Sequence, residues 1–344
     1  MRKQTWVCLV GWVAATAPVA SVVASGSEER YEFSRVLMGV PFKITLYAAD
    51  APSANRAADA AYDRIAELNA IFSDYDSDSE SMRLCAASRP GTPVVVSPEL
   101  MFVLSRSLAL SESSGGAFDV TVGPLVKLWR RAGRQRRLPA DKALQEARQR
   151  VGYRLVRLDC DAGSVELLSR KMRLDFGGIA KGYAADEALR VLKRHGCGSA
   201  LINAGGDVVA GDPPRGQPRG WRIGIAPVDQ PEAAPKRFLR IANAAVATSG
   251  DAFQFVEIGG VRYSHILDPH TGLGLTISSS VTVIAPDGIT ADSLASAVSV
   301  LGSKPGMALV EITTGTAALF VEMTDASPRS SESSRFTRYL EREE

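Results

Sequence analysis

The feature that most restricts this chain is the density of short apolar runs, each closed within a few residues by a turn, between residues 154 and 286. "RLVRLD" and "SVELL" read as the two arms of a hairpin, and "SALINAGG" as a strand running into a glycine turn. "WRIGIA", "FLRIA", "AVATSG", "FVEIGG" and "VTVIAP" follow as further strands. Hairpin connections of this kind outnumber strand–helix–strand units, so the expected fold is α+β with a largely antiparallel sheet core and packed helices, not a doubly wound parallel sheet. Helices are expected over residues 57–72, where Ala57, Ala61, Ile65, Leu68 and Phe72 share a face, and from Ser97 through Leu100, Val103, Leu104 and Leu108 to Gly115-Gly116. A third, "AADEALRVLKRHG", is stopped by Gly196.

A chain of 344 residues with 45% hydrophobic and 23% charged composition can bury a full core. Its formal net charge is +2, and the one dense basic run, "RRAGRQRR" at 130–137, has no aromatic residue among its arginines. That run is expected to be a solvated loop, and no nucleic-acid partner is expected. The N-terminus starts with "MRK", continues in an apolar run from Trp6 to Val23 and turns polar at "SGSEER", the pattern of a secretory signal over residues 1–24. A single domain over 25–330 and a frayed polar tail over 331–344 complete the expected organisation. Past the signal, Cys85, Cys160 and Cys197 form no CxxC pair, which supports neither a zinc site nor a redox motif.

Five stretches carry chemistry. In "TADSLASAVSVLG" (290–302), Thr290 is the expected helix cap; at about 100° per residue Asp292 and Ser296 point within roughly 40° of each other, opposite Leu294, Val298 and Leu301. A carboxylate and a hydroxyl on one face suit a hard cation such as Mg²⁺, although an acid at a helix start also simply complements the helix dipole. "LDFGGIAKGYAADEA" (174–188) sets an acid and two glycines before a lysine, with neither a GxGxxG nor a GxxxxGK[ST] pattern. "NAGGD" (203–207) and "ATSGD" (247–251) read as small-residue turns after apolar strands, suited to phosphate or ring edges or simply to chain reversal. In "SGGAFDVTVGP" (114–124), Phe118 could stack a flat heterocycle beside an accepting Asp119, or be core.

His265 and His270, five residues apart in "RYSHILDPHTG", fall on opposite faces of a strand or about 140° apart on a helix, which disfavours a shared metal. His195 falls at a helix C-terminus, where a charged imidazole is favourable.

Taken in order, "MG" (38–39), "SDYDSDSESMRL" (73–84), "GAFDVTVGPLVKLW" (116–129), "LDFGGIAKGYAADEA", "ALINAGGD" (200–207), "AVATSGD" (245–251), "YSHILDPHTG" (263–272) and "TADSLASAVSVLG" resemble the ApbE family of FAD:protein FMN transferases, from about Met38 to Gly302. The resemblance implies the ApbE-like, T-fold-related architecture and an exported, periplasmic, Mg²⁺-dependent enzyme. Such an enzyme splits FAD, joins its FMN half to a Thr or Ser hydroxyl of an acceptor flavoprotein and releases AMP. It also implies a loose association with the outer face of the inner membrane. Metal ligands carried over are the Gly178 carbonyl, the Asp292 carboxylate and the Ser296 hydroxyl. FAD contacts fall at Met38, Tyr75, Ala117, Phe118, Asp119, Asp175, Lys181, Thr248, Ser249 and Gly250, with His265 and Ile266 alongside. His265 and Asp292 are the candidate catalytic residues, His265 either as base or as a positioner of phosphate or ring. Ser296 stands where the family commonly has threonine, and Ala295 where some members carry an acid, which argues for a single metal or a weaker second one. The loop "DPHTGLGL" lacks a proline often present in the family. An FAD pyrophosphatase and a flavin-binding protein without turnover are the rival readings.

Overall fold

Alternation in "FKITLYA" sets the geometry of the sheet: Phe42, Ile44, Leu46 and Ala48 are buried and the residues between them are not, the period-two pattern of a strand with one face on a core. A computed structural model describes residues 28–228, 233–250, 254–324 and 327–341. The expected signal segment lies outside the described residues. Among those described, no helix is long and apolar enough to cross a membrane.

The chain begins with a hairpin, β1 (Glu29–Leu37) and β2 (Val40–Ala48), and continues into α1 (Ala51–Phe72), α2 (Glu80–Ala87), β3 (Val94–Val95), α3 (Pro98–Ser113), α4 (Gly123–Gln135) and α5 (Asp141–Arg148). Next come the hairpin β4 (Val156–Asp159) and β5 (Ser164–Leu167), then α6 (Ala180–Arg194), β6 (Ala200–Ala204), β7 (Asp207–Ala210), β8 (Trp221–Ile225), β9 (Arg237–Ile241) and β10 (Ala244–Gly250). The last part holds β11 (Phe255–Ile258), β12 (Val261–Ser264), β13 (Ser279–Ala285), α7 (Gly288–Leu301), α8 (Ser303–Ile312), β14 (Ala317–Met323) and β15 (Pro328–Glu332). The main sheet has the order β1-β2-β6-β7-β10-β13-β14-β15, and each of its pairings is antiparallel, as the hairpin-rich sequence predicts. Smaller sheets are β3-β5-β4, β8-β9 and β11-β12.

One face of the main sheet carries α1, α6 and α7 over a large core that includes Ile44, Ile65, Leu68, Ala184, Leu192, Ile202, Val283 and Leu294. Burying each of its Leu and Ile side chains stabilises by about 1.5–3 kcal/mol. The opposite face, through Val246, Ile284 and Leu319, is covered by the β8–β9 ribbon and Phe336. A third small cluster, Trp129, Ala132, Ile258 and Tyr263, ties the β11–β12 ribbon to α4.

Four expectations are corrected. The basic run is helical through Gln135, because Trp129 and Ala132 are buried on one side of α4 and arginine is a good helix former. Through Glu341, the last described residue, the tail is not frayed: β15 pairs with β14, Phe336 is fully buried, and Arg335 donates to the Val310 and Thr316 carbonyls at the ends of α8 and its loop. A polar edge strand and one aromatic anchor leave no periodic signal to read. Residues Thr248–Gly250 are not a turn but the end of β10, paired with β13. Finally, α7 starts before Thr290: Asp287 is its cap and accepts from the Thr290 amide at 3.0 Å.

Candidate active site

The close approach of α6 and α7 is what creates the site. A Cβ at Gly182 would stand 2.1 Å from the Gly288 carbonyl oxygen and 2.9 Å from the Asp292 Cβ, so the two backbones touch where glycines face each other. Asp186 of α6 clamps the contact, accepting from the Gly288 and Ile289 amides at 2.6 and 2.9 Å. Burial pushes its carboxyl up to about 6, against the two amides that pull it down.

On this seam the structure brings together four of the sequence-derived residues. A Cβ at Gly178 would lie 2.8 Å from Ser296 Oγ, so glycine allows the turn before α6 to rest on that hydroxyl. One helical turn earlier, buried Asp292 accepts from the Gly182 amide at 3.0 Å and faces Lys181, whose Nζ lies 3.3 and 3.4 Å from its two oxygens. Lys181 also donates to the Gly177 carbonyl at 3.1 Å and pairs with Asp207 at 3.1 Å. Burial alone would lower the Lys181 ammonium, but Asp292 and Asp207 together raise it above its ordinary value. Burial and the nearby Asp292 charge push the Asp207 carboxyl up, outweighing Lys181 and a hydrogen bond from the Thr248 backbone. Both directions are consistent, because two carboxylates share one ammonium.

Around the seam, Asp175 and Tyr75 are joined by Arg130, which lies 4.4 Å above the exposed Tyr75 ring and 3.5 Å from Asp175, and pairs with Asp74 at 2.5 Å. Burial raises the Asp175 carboxyl, Asp74 adds to the rise, and the Gly177 amide, Arg130 and Arg173 oppose it. Met38 occupies the β1–β2 turn with φ 50, a left-handed conformation unusual for a side chain of its size. Thr248 hydrogen-bonds Thr282 across the strands at 3.1 Å, and Ser249 and Gly250 continue β10 toward its end.

The segment 114–119 joins two parts of the molecule. Phe118 packs in the main core beside Gly178, and Ala117 is buried next to it. On its other side Gly116 lies against the His270 ring, which a Cβ there would approach to 3.3 Å. Asp119 is buried, and its oxygens accept from the Thr121 amide and hydroxyl and the Tyr153 amide at 2.7–2.8 Å. Burial raises its carboxyl despite these bonds.

His265 stands apart from the seam, one residue beyond β12. Its amide donates to the Gln254 carbonyl at 3.0 Å, and its ring Nδ1 lies 3.1 Å from the same oxygen. A carbonyl only accepts, so Nδ1 carries the hydrogen and the basic nitrogen of the neutral ring is Nε2. Ile266 accepts from the Leu275 amide at 2.9 Å and donates to Ser264 at 3.0 Å, which fixes the loop that follows. His270 sits in an Asp268-initiated turn.

The family model for the ApbE family matches residues 38–320. A curated "FAD:protein FMN transferase" of Treponema pallidum is 35% identical over 257 residues, covering 71% of both chains. This chain belongs to the ApbE family. Solved structures agree: "Flavin Transferase ApbE from Vibrio cholerae" superposes with TM-score 0.79 at 29% identity, covering 91% of this chain and 100% of that one. The ApbE protein from Thermotoga maritima gives TM-score 0.80 at 30% identity, covering 92% and 100%.

Sequence reasoning gave Asp207 no role in this ApbE-family chain, although it ends the "NAGGD" stretch. Gly205 and Gly206, with φ of 65 and 113, form the tight β6–β7 turn that aims this buried acid at Lys181, and the paired glycines mark the turn but not the lysine it faces. Two clefts of about 730 and 700 Å³ flank Tyr75, the first lined by Arg130, Arg134, Arg136 and Phe255. Neither is lined by Lys181 or Asp292.

Proposed function

We propose that the chain transfers the FMN half of FAD to a Ser or Thr hydroxyl of an acceptor flavoprotein and releases AMP, with Mg²⁺ bound at the α6–α7 seam. The observation that carries this reading is the convergence of the Gly178 turn and the Ser296 hydroxyl one helical turn from Asp292. Among the described residues no three His, Cys, Asp or Glu side chains form a cation cage, so an ion would rest on a backbone carbonyl, a hydroxyl and one carboxylate. Those oxygens fit a hard cation that keeps several waters. Bound there, Mg²⁺ neutralises charge on the FAD diphosphate.

The other groups have assigned tasks. Lys181 supplies a further positive charge for the phosphates, and Tyr75, Phe118 and the β10 end bound the flavin. In the transfer the acceptor hydroxyl oxygen bonds to the FMN phosphorus, the bond to the AMP oxygen breaks, and the hydroxyl proton passes to a base. His265 is that base in our reading, because its Nδ1–H is committed to Gln254 and the ring is thereby oriented. The signal-like N-terminus supports export to the periplasm, where acceptor and enzyme meet, with a loose inner-membrane association.

Incubating the mature chain with FAD and Mg²⁺, with and without an acceptor flavoprotein, tests the activity. Flavin fluorescence on the denatured acceptor band is expected. Free FMN alone would mean a pyrophosphatase, and FAD left intact over hours would mean a binding protein.

A further inference from the structure

The Lys181 ammonium and a cation at Asp292 need the same oxygens. In the structure Nζ lies across both Asp292 oxygens at 3.3 and 3.4 Å, while the Gly182 amide takes part of one of them. A divalent ion at Asp292 therefore requires the ammonium to give up that contact, since like charges at a few ångströms repel strongly in a poorly solvated seam. Something else must hold the ammonium when it does.

Asp207 has the required placement. Its carboxylate is nearer to Nζ, at 3.1 Å, and it is buried. Asp207 is also the fixed partner, because it sits on the first residue of β7, paired with Ala204 across a two-glycine turn, and takes a hydrogen bond from the Thr248 backbone. Lys181 instead carries its charge on a flexible four-carbon stem. Neutralising Asp207 would leave the ammonium with Asp292 as its sole anion.

We infer that Asp207 is a positioning residue that retains Lys181 so that Asp292 is released to a divalent cation, and that it thereby sets the cation affinity of the seam. This rests on the cation reading of Gly178, Asp292 and Ser296 given above. The readout is Mg²⁺ binding to the mature protein without FAD, by titration calorimetry, for the wild type, Asp207→Asn, Lys181→Met and the double variant. Asp207→Asn is expected to weaken Mg²⁺ about tenfold in the wild-type background but less than about threefold beside Lys181→Met, because the competitor is then gone. Lys181→Met alone is expected to tighten Mg²⁺ by about fivefold, a result that stands even if Asp207→Asn fails to fold.

Equal losses in the two backgrounds would show Asp207 acting by its own charge and overturn the inference. So would a Lys181→Met variant that binds Mg²⁺ no more tightly than the wild type. A wild-type chain that binds no Mg²⁺ while still transferring flavin would remove the cation reading itself, and this inference with it.

Discussion

In the function proposed above, the seam between α6 and α7 and the ribbon β11–β12 divide the chemistry between a rigid part and a lightly held one. At the seam, facing glycines bring two helices into backbone contact, and Asp186, Asp207, Lys181 and Asp292 are held by hydrogen bonds within the main core. The ribbon is two strands on a small cluster of Trp129, Ala132, Ile258 and Tyr263, and its histidine is exposed at the end of a strand. Charges whose positions must be held to within a few tenths of an ångström belong on the first, since packed helices fix them. A base that meets an incoming protein hydroxyl belongs on the second, where a macromolecule has access. The segment 114–119 touches both, with Phe118 at the Gly178 turn and Gly116 at His270.

The sharpest break of this division is Asp292→Ala. Removing the carboxylate is expected to cost at least about 10³-fold in kcat for flavin transfer, while cooperative melting persists because Asp207 still partners Lys181. FAD cleavage at the wild-type rate would remove Asp292 from the chemistry. On the ribbon, His265→Ala is expected to lower kcat by about 10²–10³-fold, with stability changed by less than about 0.5 kcal/mol because the side chain is exposed. A loss confined to FAD affinity would make the ring a positioner instead.

A pH series separates the two regions next. Asp186 has its carboxyl raised from 3.8 to about 6 by burial. Between those values the folded chain holds a proton that the unfolded chain has released, so stability falls as pH rises through the window, by up to about 3 kcal/mol. Chemical denaturation from pH 4 to 7 is expected to show this slope in the wild type and a flatter one in Asp186→Asn, whereas His265→Ala leaves it unchanged. A pair of glycines gives the last comparison, and its second member the smallest effect. Gly182→Ala places a Cβ against the Gly288 carbonyl and is expected to cost about 1–3 kcal/mol and most of the activity. At the tip of the ribbon, Gly259→Ala meets no atom within 4 Å and bears only its positive φ of 61, a cost of about 1 kcal/mol with activity kept.

Much of the seam was legible because it is built from local pattern. The 3.6-residue period put Asp292 and Ser296 on one face, and the paired glycines before Lys181 marked a place of close approach. What joins them is long-range. Nothing in "NAGGD" shows that Asp207 points at a lysine 26 positions earlier, because that contact depends on β7 lying beside α6. The cap of α7 was misplaced for a related reason: Thr290 and Asp287 both have capping side chains, and the choice is made by Asp186 reaching in from another helix. The antiparallel sheet was readable from short strands and tight turns. The order of residues 328–341 was not, since it comes from Arg335 and Phe336 docking on distant elements.

The most direct test of the account is an intact-mass measurement on an acceptor flavoprotein incubated with FAD, Mg²⁺ and either the wild-type chain or Asp292→Asn, with AMP counted in the same samples. The account predicts an acceptor heavier by one FMN less water, one AMP per modified acceptor, and neither product with Asp292→Asn. AMP released by the wild type with the acceptor mass unchanged, or a modified acceptor from the Asp292→Asn variant at the wild-type rate, would contradict it.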